Sequence, residues 1–117
     1  MIFVIDSNEI MAECVARAIG SDVKIFTNAI EAMNAIADGI LPEMIFLDVM
    51  LSGPDGFTLL NEMISYDDTS KIPVVIMNSL GVLKDDLAVY GVVGVLNKDT
   101  MKPAEIRRYV DEYAKRH

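Results

Sequence analysis

Apolar residues fall into five short runs: Ile2–Ile5, Val23–Phe26 (interrupted by Lys24), 44–47, 74–77 and 92–96. Each has the length of a strand, and runs that are continuous rather than alternating belong in a sheet covered on both faces. Between the runs, apolar residues recur three and four apart, which is the helical period. They are Ile10, Met11, Cys14, Val15, Ala18 and Ile19; then Ile30, Met33, Ile36 and Ala37; then Phe57, Leu60, Met63 and Ile64. Val82, Leu83, Leu87 and Tyr90 suggest a fourth helix, and Ile106, Tyr109, Val110 and Tyr113 a fifth. Asn28 stands three residues before Glu31 as a helix start, and Asp55 is placed to cap the third helix. Gly20 is placed to stop the first helix and Pro103 to open the last.

Strict alternation of strand and helix, joined by right-handed crossovers, predicts an α/β fold: a doubly wound parallel sheet of five strands with five helices on its two faces. At 117 residues the chain is one domain, 1–117, long enough to bury a core without disulfides or a structural metal. Neither an internal repeat nor a Gly/Ser/Pro-rich linker divides it.

Composition narrows the classes of function. The chain is 52% hydrophobic and 24% charged, and its apolar runs are far shorter than the roughly 20 residues of a membrane helix. Met1 leads directly into the first strand with no basic leader, so a cytoplasmic protein is expected, with no membrane partner. The net charge of −8, from 18 acids and 10 bases, disfavours direct nucleic-acid binding and favours a protein or cationic partner. Arg107, Arg108, Lys115 and Arg116 suit the end of a last helix, where they complement its dipole. Cys14 reads as a buried small hydrophobe, and the eight methionines as core packing.

In open parallel sheets, ligands bind beyond the carboxyl ends of the strands. The residues just after the runs are Asp6, Ser7 and Asn8; Asp48; Asn78 and Ser79; and Asn97, Lys98 and Asp99. Two carboxylates beside an ammonium group can hold a hard divalent cation and a phosphoryl oxygen together.

These residues carry a resemblance over essentially the whole chain. Residues 2–9 (Ile-Phe-Val-Ile-Asp-Ser-Asn-Glu), 47–57 (Leu-Asp-Val-Met-Leu-Ser-Gly-Pro-Asp-Gly-Phe), 73–79 (Pro-Val-Val-Ile-Met-Asn-Ser) and 97–100 (Asn-Lys-Asp-Thr) resemble the successive signature blocks of response-regulator receiver domains. The block around Asp48 is the most specific of them. The resemblance implies a flavodoxin-like strand order 2-1-3-4-5, with Asp6 and Asp48 as neighbours and Lys98 across the cleft. It further implies that Asp48 accepts a phosphoryl group and that Asp6, Asp48 and the Met50 carbonyl hold Mg²⁺. Lys98, with Asn78 beside it, would contact the phosphoryl group. The implied partners are a histidine kinase or phosphotransfer protein upstream and a protein partner or output domain downstream, with a second copy of the chain also open. A signalling module rather than an enzyme follows.

Five positions depart from that pattern. Ser7 stands where a second acid is usual, as a helix cap before a metal contact, so weak Mg²⁺ binding is expected. Asn78 replaces a hydroxyl residue and Val95 an aromatic one, which alters both parts of the usual switch; Ser52 and Asp99 each stand where proline is common. Ser7, Asn78 and Val95 motivate an alternative, a phosphorylation-independent pseudo-receiver acting as an interaction module. A flavodoxin-like electron carrier would need a hydroxyl- and glycine-rich loop after the first strand, and the acids there would repel a flavin phosphate. With nothing after the fifth helix, the chain reads as a stand-alone receiver or an excised domain.

Overall fold

The computed structural model describes residues 1–20, 22–48, 55–78 and 91–114, with Asp55 and Gly56 described by their backbone alone. The strands are β1 (Ile2–Ile5), β2 (Val23–Phe26), β3 (Met44–Asp48), β4 (Val74–Asn78) and β5 (Val92–Asn97). They form one parallel sheet in the order β2-β1-β3-β4-β5, as the resemblance implied. The helices are α1 (Glu9–Ile19), α2 (Ala29–Ala37), α3 (Asp55–Ile64) and α4 (Pro103–Tyr109), the last continued by a wider π-helical turn over Val110–Ala114. The helix expected over Val82 to Tyr90 lies outside the described residues.

Because successive strand residues face opposite ways, the sheet feeds two separate cores. Phe3, Ile5, Ile45, Leu47, Val74 and Ile76 point into one, under α2 and α3. Ile2, Val4, Met44, Phe46, Val75 and Met77 point into the other, under α1 and α4. Both faces of β1, β3 and β4 are buried, which is why those strands read as unbroken apolar runs.

The helix starts follow the local chemistry. The Asn28 side chain accepts from the Glu31 amide at 2.8 Å, and the Glu105 carboxylate accepts from the Lys102 amide at 2.9 Å just before Pro103. Gly20 closes α1 at φ 104°, a conformation that costs residues with a Cβ, and its amide donates to the Ala16 carbonyl. At the first helix the cap is Asn8, whose side chain accepts from the Met11 amide at 3.1 Å; the capping role expected of Ser7 is thereby corrected. Asn8 has the longer side chain and sits at the turn where the free amides point.

The buried faces of α1 and α2 are corrected at three positions, Ile10, Cys14 and Ile30, while Val15, Ala18, Ile19, Met33 and Ile36 pack against the cores as expected. α1 buries Ala12 and Val15, while Ile10 is 76% exposed and Cys14 is exposed rather than buried. α2 buries Ala29 and Ala32 and leaves Ile30 exposed. The fully buried contacts are made by Ala12, Val15, Ala29 and Ala32, with Ile19, Met33 and Ile36 packed partly buried beside them. On the other side of the sheet, Tyr109 of α4 lies against Gly94 of β5, leaving no room there for a Cβ, and stacks on Tyr113.

Candidate functional site: a carboxylate pair bridged by lysine

The carboxyl ends of β1, β3, β4 and β5 meet in one cleft. The Asp6 amide donates to the Phe26 carbonyl at 3.0 Å, fixing the end of β1 to β2, and the Asp6 carboxylate accepts from the Asn8 amide at 2.9 Å as α1 begins. Asp48 is the last residue of β3, opposite Met77, and Asn78 is the last of β4, opposite Asn97. The Lys98 amide donates to the Asn78 carbonyl at 3.0 Å, so the ladder itself aims the lysine inward.

Lys98 Nζ donates to Asp48 Oδ2 at 2.9 Å and lies 2.9 Å from Asp6 Oδ2. The contact with Asp6 is an ion pair without hydrogen-bond alignment, since Asp6 Oδ2 is buried and carries no hydrogen bond. Asp6 is wholly buried, Asp48 is 5% exposed and Asn78 is 2% exposed. Burial works against the Lys98 ammonium, yet the Asp48 hydrogen bond, the close side-chain contact with Asp6 and the charges of both carboxylates outweigh it and lift the pKa above its ordinary 10.5. Two carboxylates thus share one ammonium group in a largely buried cleft.

That donor set suits a small hard cation: two carboxylates converge on one point, and one of the converging oxygens has lone pairs no hydrogen bond occupies. The third expected ligand, the Met50 carbonyl, lies outside the described residues, as do Ser52 and Ser79. Among the described residues no group of three or more His, Cys, Asp or Glu gathers. Ser7 is exposed beside the cleft. Val95 is partly buried against the core under α2 and α3. A cavity of about 610 Å³ lies away from this cleft, around Ile2, Ile19 and Arg107, so cavity size is no guide to the chemistry.

No protein-family model matches the chain. It is 30% identical over 89 residues to a DNA-binding dual master transcriptional regulator, RpaA of Synechocystis, a match covering 74% of this chain and 36% of the relative. The chain therefore spans about a third of the length of that relative. Among solved structures, the receiver domain of NtrX from Brucella abortus superposes with a TM-score of 0.84 at 23% identity, each chain covered completely. A candidate response regulator from Chloroflexus aurantiacus has a TM-score of 0.80 at 26% identity, covering 98% of this chain and 97% of that one. The receiver domain of the sensor histidine kinase PA1611 from Pseudomonas aeruginosa, solved with magnesium in its active-site cleft, gives 0.78 at 20% identity over 97% and 95% of the two chains. Sheet order, helix placement and sequence likeness agree: the chain has the receiver fold and is similar to the response-regulator receiver domains.

Proposed function

We propose that this domain accepts a phosphoryl group on Asp48 from a histidine kinase or phosphotransfer protein and passes the signal on through protein contacts. The observation that carries this reading is Lys98 Nζ at 2.9 Å from both Asp48 and Asp6. In the transfer, a carboxylate oxygen of Asp48 attacks phosphorus; the new O–P bond forms as the bond to the donor breaks, and the donor leaves with the electron pair. Lys98 then holds a phosphoryl oxygen, which draws it from the carboxylates, and Asn78 supplies an amide donor. Asp6, Asp48 and the Met50 carbonyl would hold Mg²⁺, which when bound neutralises charge on the transferring group. The PA1611 receiver, with its cleft magnesium, supports that assignment. The domain is a signalling module and not an enzyme, works in the cytoplasm, and contacts neither nucleic acid nor membrane directly. No helix among the described residues is long and apolar enough to cross a membrane.

Incubation of the whole chain with a small-molecule phosphodonor and Mg²⁺ should add one phosphoryl mass, absent from Asp48→Asn. A wild type left unmodified under conditions that label another receiver would overturn the reading. The second reading, a pseudo-receiver that signals without phosphate, is favoured by Ser7 in place of a second acid. Ser7→Asp separates the two: in a phosphoacceptor it tightens Mg²⁺ binding and speeds labelling, whereas in a pseudo-receiver it changes neither.

A further inference from the structure

A second feature lies away from the cleft. α2 and α3 run back antiparallel to the strands, so their C-terminal halves sit at the end of the sheet opposite Asp48. Between them is a groove of about 480 Å³, with Met33, Ile36 and Met63 among its apolar residues, Tyr66 at one wall, and Glu62 and Asp68 on the rim. Met63 is buried beneath it, Met33 and Ile36 are half-buried, and Tyr66 is 59% exposed. The groove is firmly built: the buried Thr69 hydroxyl donates to the Met63 carbonyl at 2.5 Å and fixes the end of α3.

Its charge is one-sided. From Lys24 to Lys71 the chain has no Lys, Arg or His between them, but eight acids: Glu31, Asp38, Glu43, Asp48, Asp55, Glu62, Asp67 and Asp68. The remaining ten acids and ten bases cancel in the formal count; of the eight, Asp48 pairs with Lys98 and Glu43 with the N-terminal amine, while Glu62 and Asp68 line the groove. No ion pair among the described residues takes up Glu62 or Asp68. Methionines on the floor adapt to varied aliphatic side chains, and exposed carboxylates flanking them select a cation beside each apolar group.

We infer that the groove between α2 and α3 docks an amphipathic helical segment of a partner protein, with aliphatic residues seated on Met33, Ile36 and Met63 and Lys or Arg paired with Glu62 and Asp68. This mode, a helix laid in a groove, uses anchors at helical spacing. It is independent of the phosphoacceptor reading, because it needs neither Asp48 nor phosphate.

The test titrates the isotope-labelled, unphosphorylated chain with a synthetic amphipathic helix of about five turns, leucine on one face and lysine on the other. Saturable NMR shifts should centre on Met33, Ile36, Met63 and Tyr66. Glu62→Lys with Asp68→Lys should weaken binding about tenfold or more, while the matched reversal on the opposite side of the sheet, Glu13→Lys with Glu112→Lys, should change it by less than about twofold. A peptide with serine for leucine, or glutamate for lysine, should bind at least about tenfold more weakly. The inference is overturned if no shifts saturate at the groove, if both reversals weaken binding equally, or if the serine peptide binds as tightly, which would mean charge alone. Sedimentation showing a dimer of the chain that covers the groove would also overturn it.

Discussion

Acids gather in two places in this domain, and the fold treats them in opposite ways. In the cleft, Asp6 and Asp48 are buried and share the ammonium of Lys98. On the rim between α2 and α3, Glu62 and Asp68 are exposed, and no ion pair among the described residues engages them. The difference follows from solvation. A buried carboxylate without a counter-charge costs several kcal/mol, whereas an exposed one is hydrated at almost no cost. Burial forces compensation in the cleft, and exposure leaves the rim free to spend its charge on a partner.

Removing the shared cation should have the largest effect. Lys98→Ala strands two buried anions and should lower unfolding free energy by about 3 kcal/mol in chemical denaturation. If the loss is only a few tenths, the cleft is as well hydrated as the rim and the contrast collapses. Alkali should withdraw the same contribution. With the folded-state pKa of Lys98 above 10.5, the pair's stabilisation is complete below 10.5 and falls away as pH rises through the folded value. Wild type should therefore lose more stability in that window than Lys98→Arg, measured side by side by denaturant titration.

Asp48→Asn works in the other direction. It leaves one anion for one cation, and in metal-free buffer it should raise stability by about 1 kcal/mol. An unchanged or lowered melting point would mean that Lys98 already compensates both acids in full. The smallest effect belongs to the rim: Glu62→Lys should move stability by no more than about 0.5 kcal/mol, because an exposed charge has little to lose. A larger change would show Glu62 to be a structural partner rather than an available one.

Much of this was legible from residue order. The five apolar runs fall on the five strands; burial on both faces leaves β1, β3 and β4 no room for polar alternation, while the edge strand β2 exposes Lys24 and Ile25. β3, β4 and β5 each run one residue past their apolar run, to Asp48, Asn78 and Asn97, because backbone pairing continues where the side chains turn polar. The cleft was legible for a related reason: polar residues immediately after buried runs are held by the ladder at one edge. The buried faces of α1 and α2 were less so. Periodicity alone points Ile10, Cys14 and Ile30 inward, while the buried positions are Ala12 and Val15 on α1 and Ala29 and Ala32 on α2. The acidic groove leaves no local mark in the sequence, because its signal is an absence of bases over a long stretch, which no spacing rule registers. Met50 and the helix expected over Val82 to Tyr90 lie outside the described residues.

The seat of Tyr109 against Gly94 has an optical consequence. The chain has four tyrosines and no tryptophan, so tyrosine bands in the near ultraviolet are not masked by indole. Two of the four rings, Tyr109 and Tyr113, stack with centroids 6.3 Å apart, and Tyr109 rests against the strand that leads to Lys98. A chiral, asymmetric setting of this kind gives a phenol ring a strong circular dichroism signal. Any event at the cleft that shifts the last helix on β5 is thereby written into the protein's own spectrum, and can be followed in real time without a label.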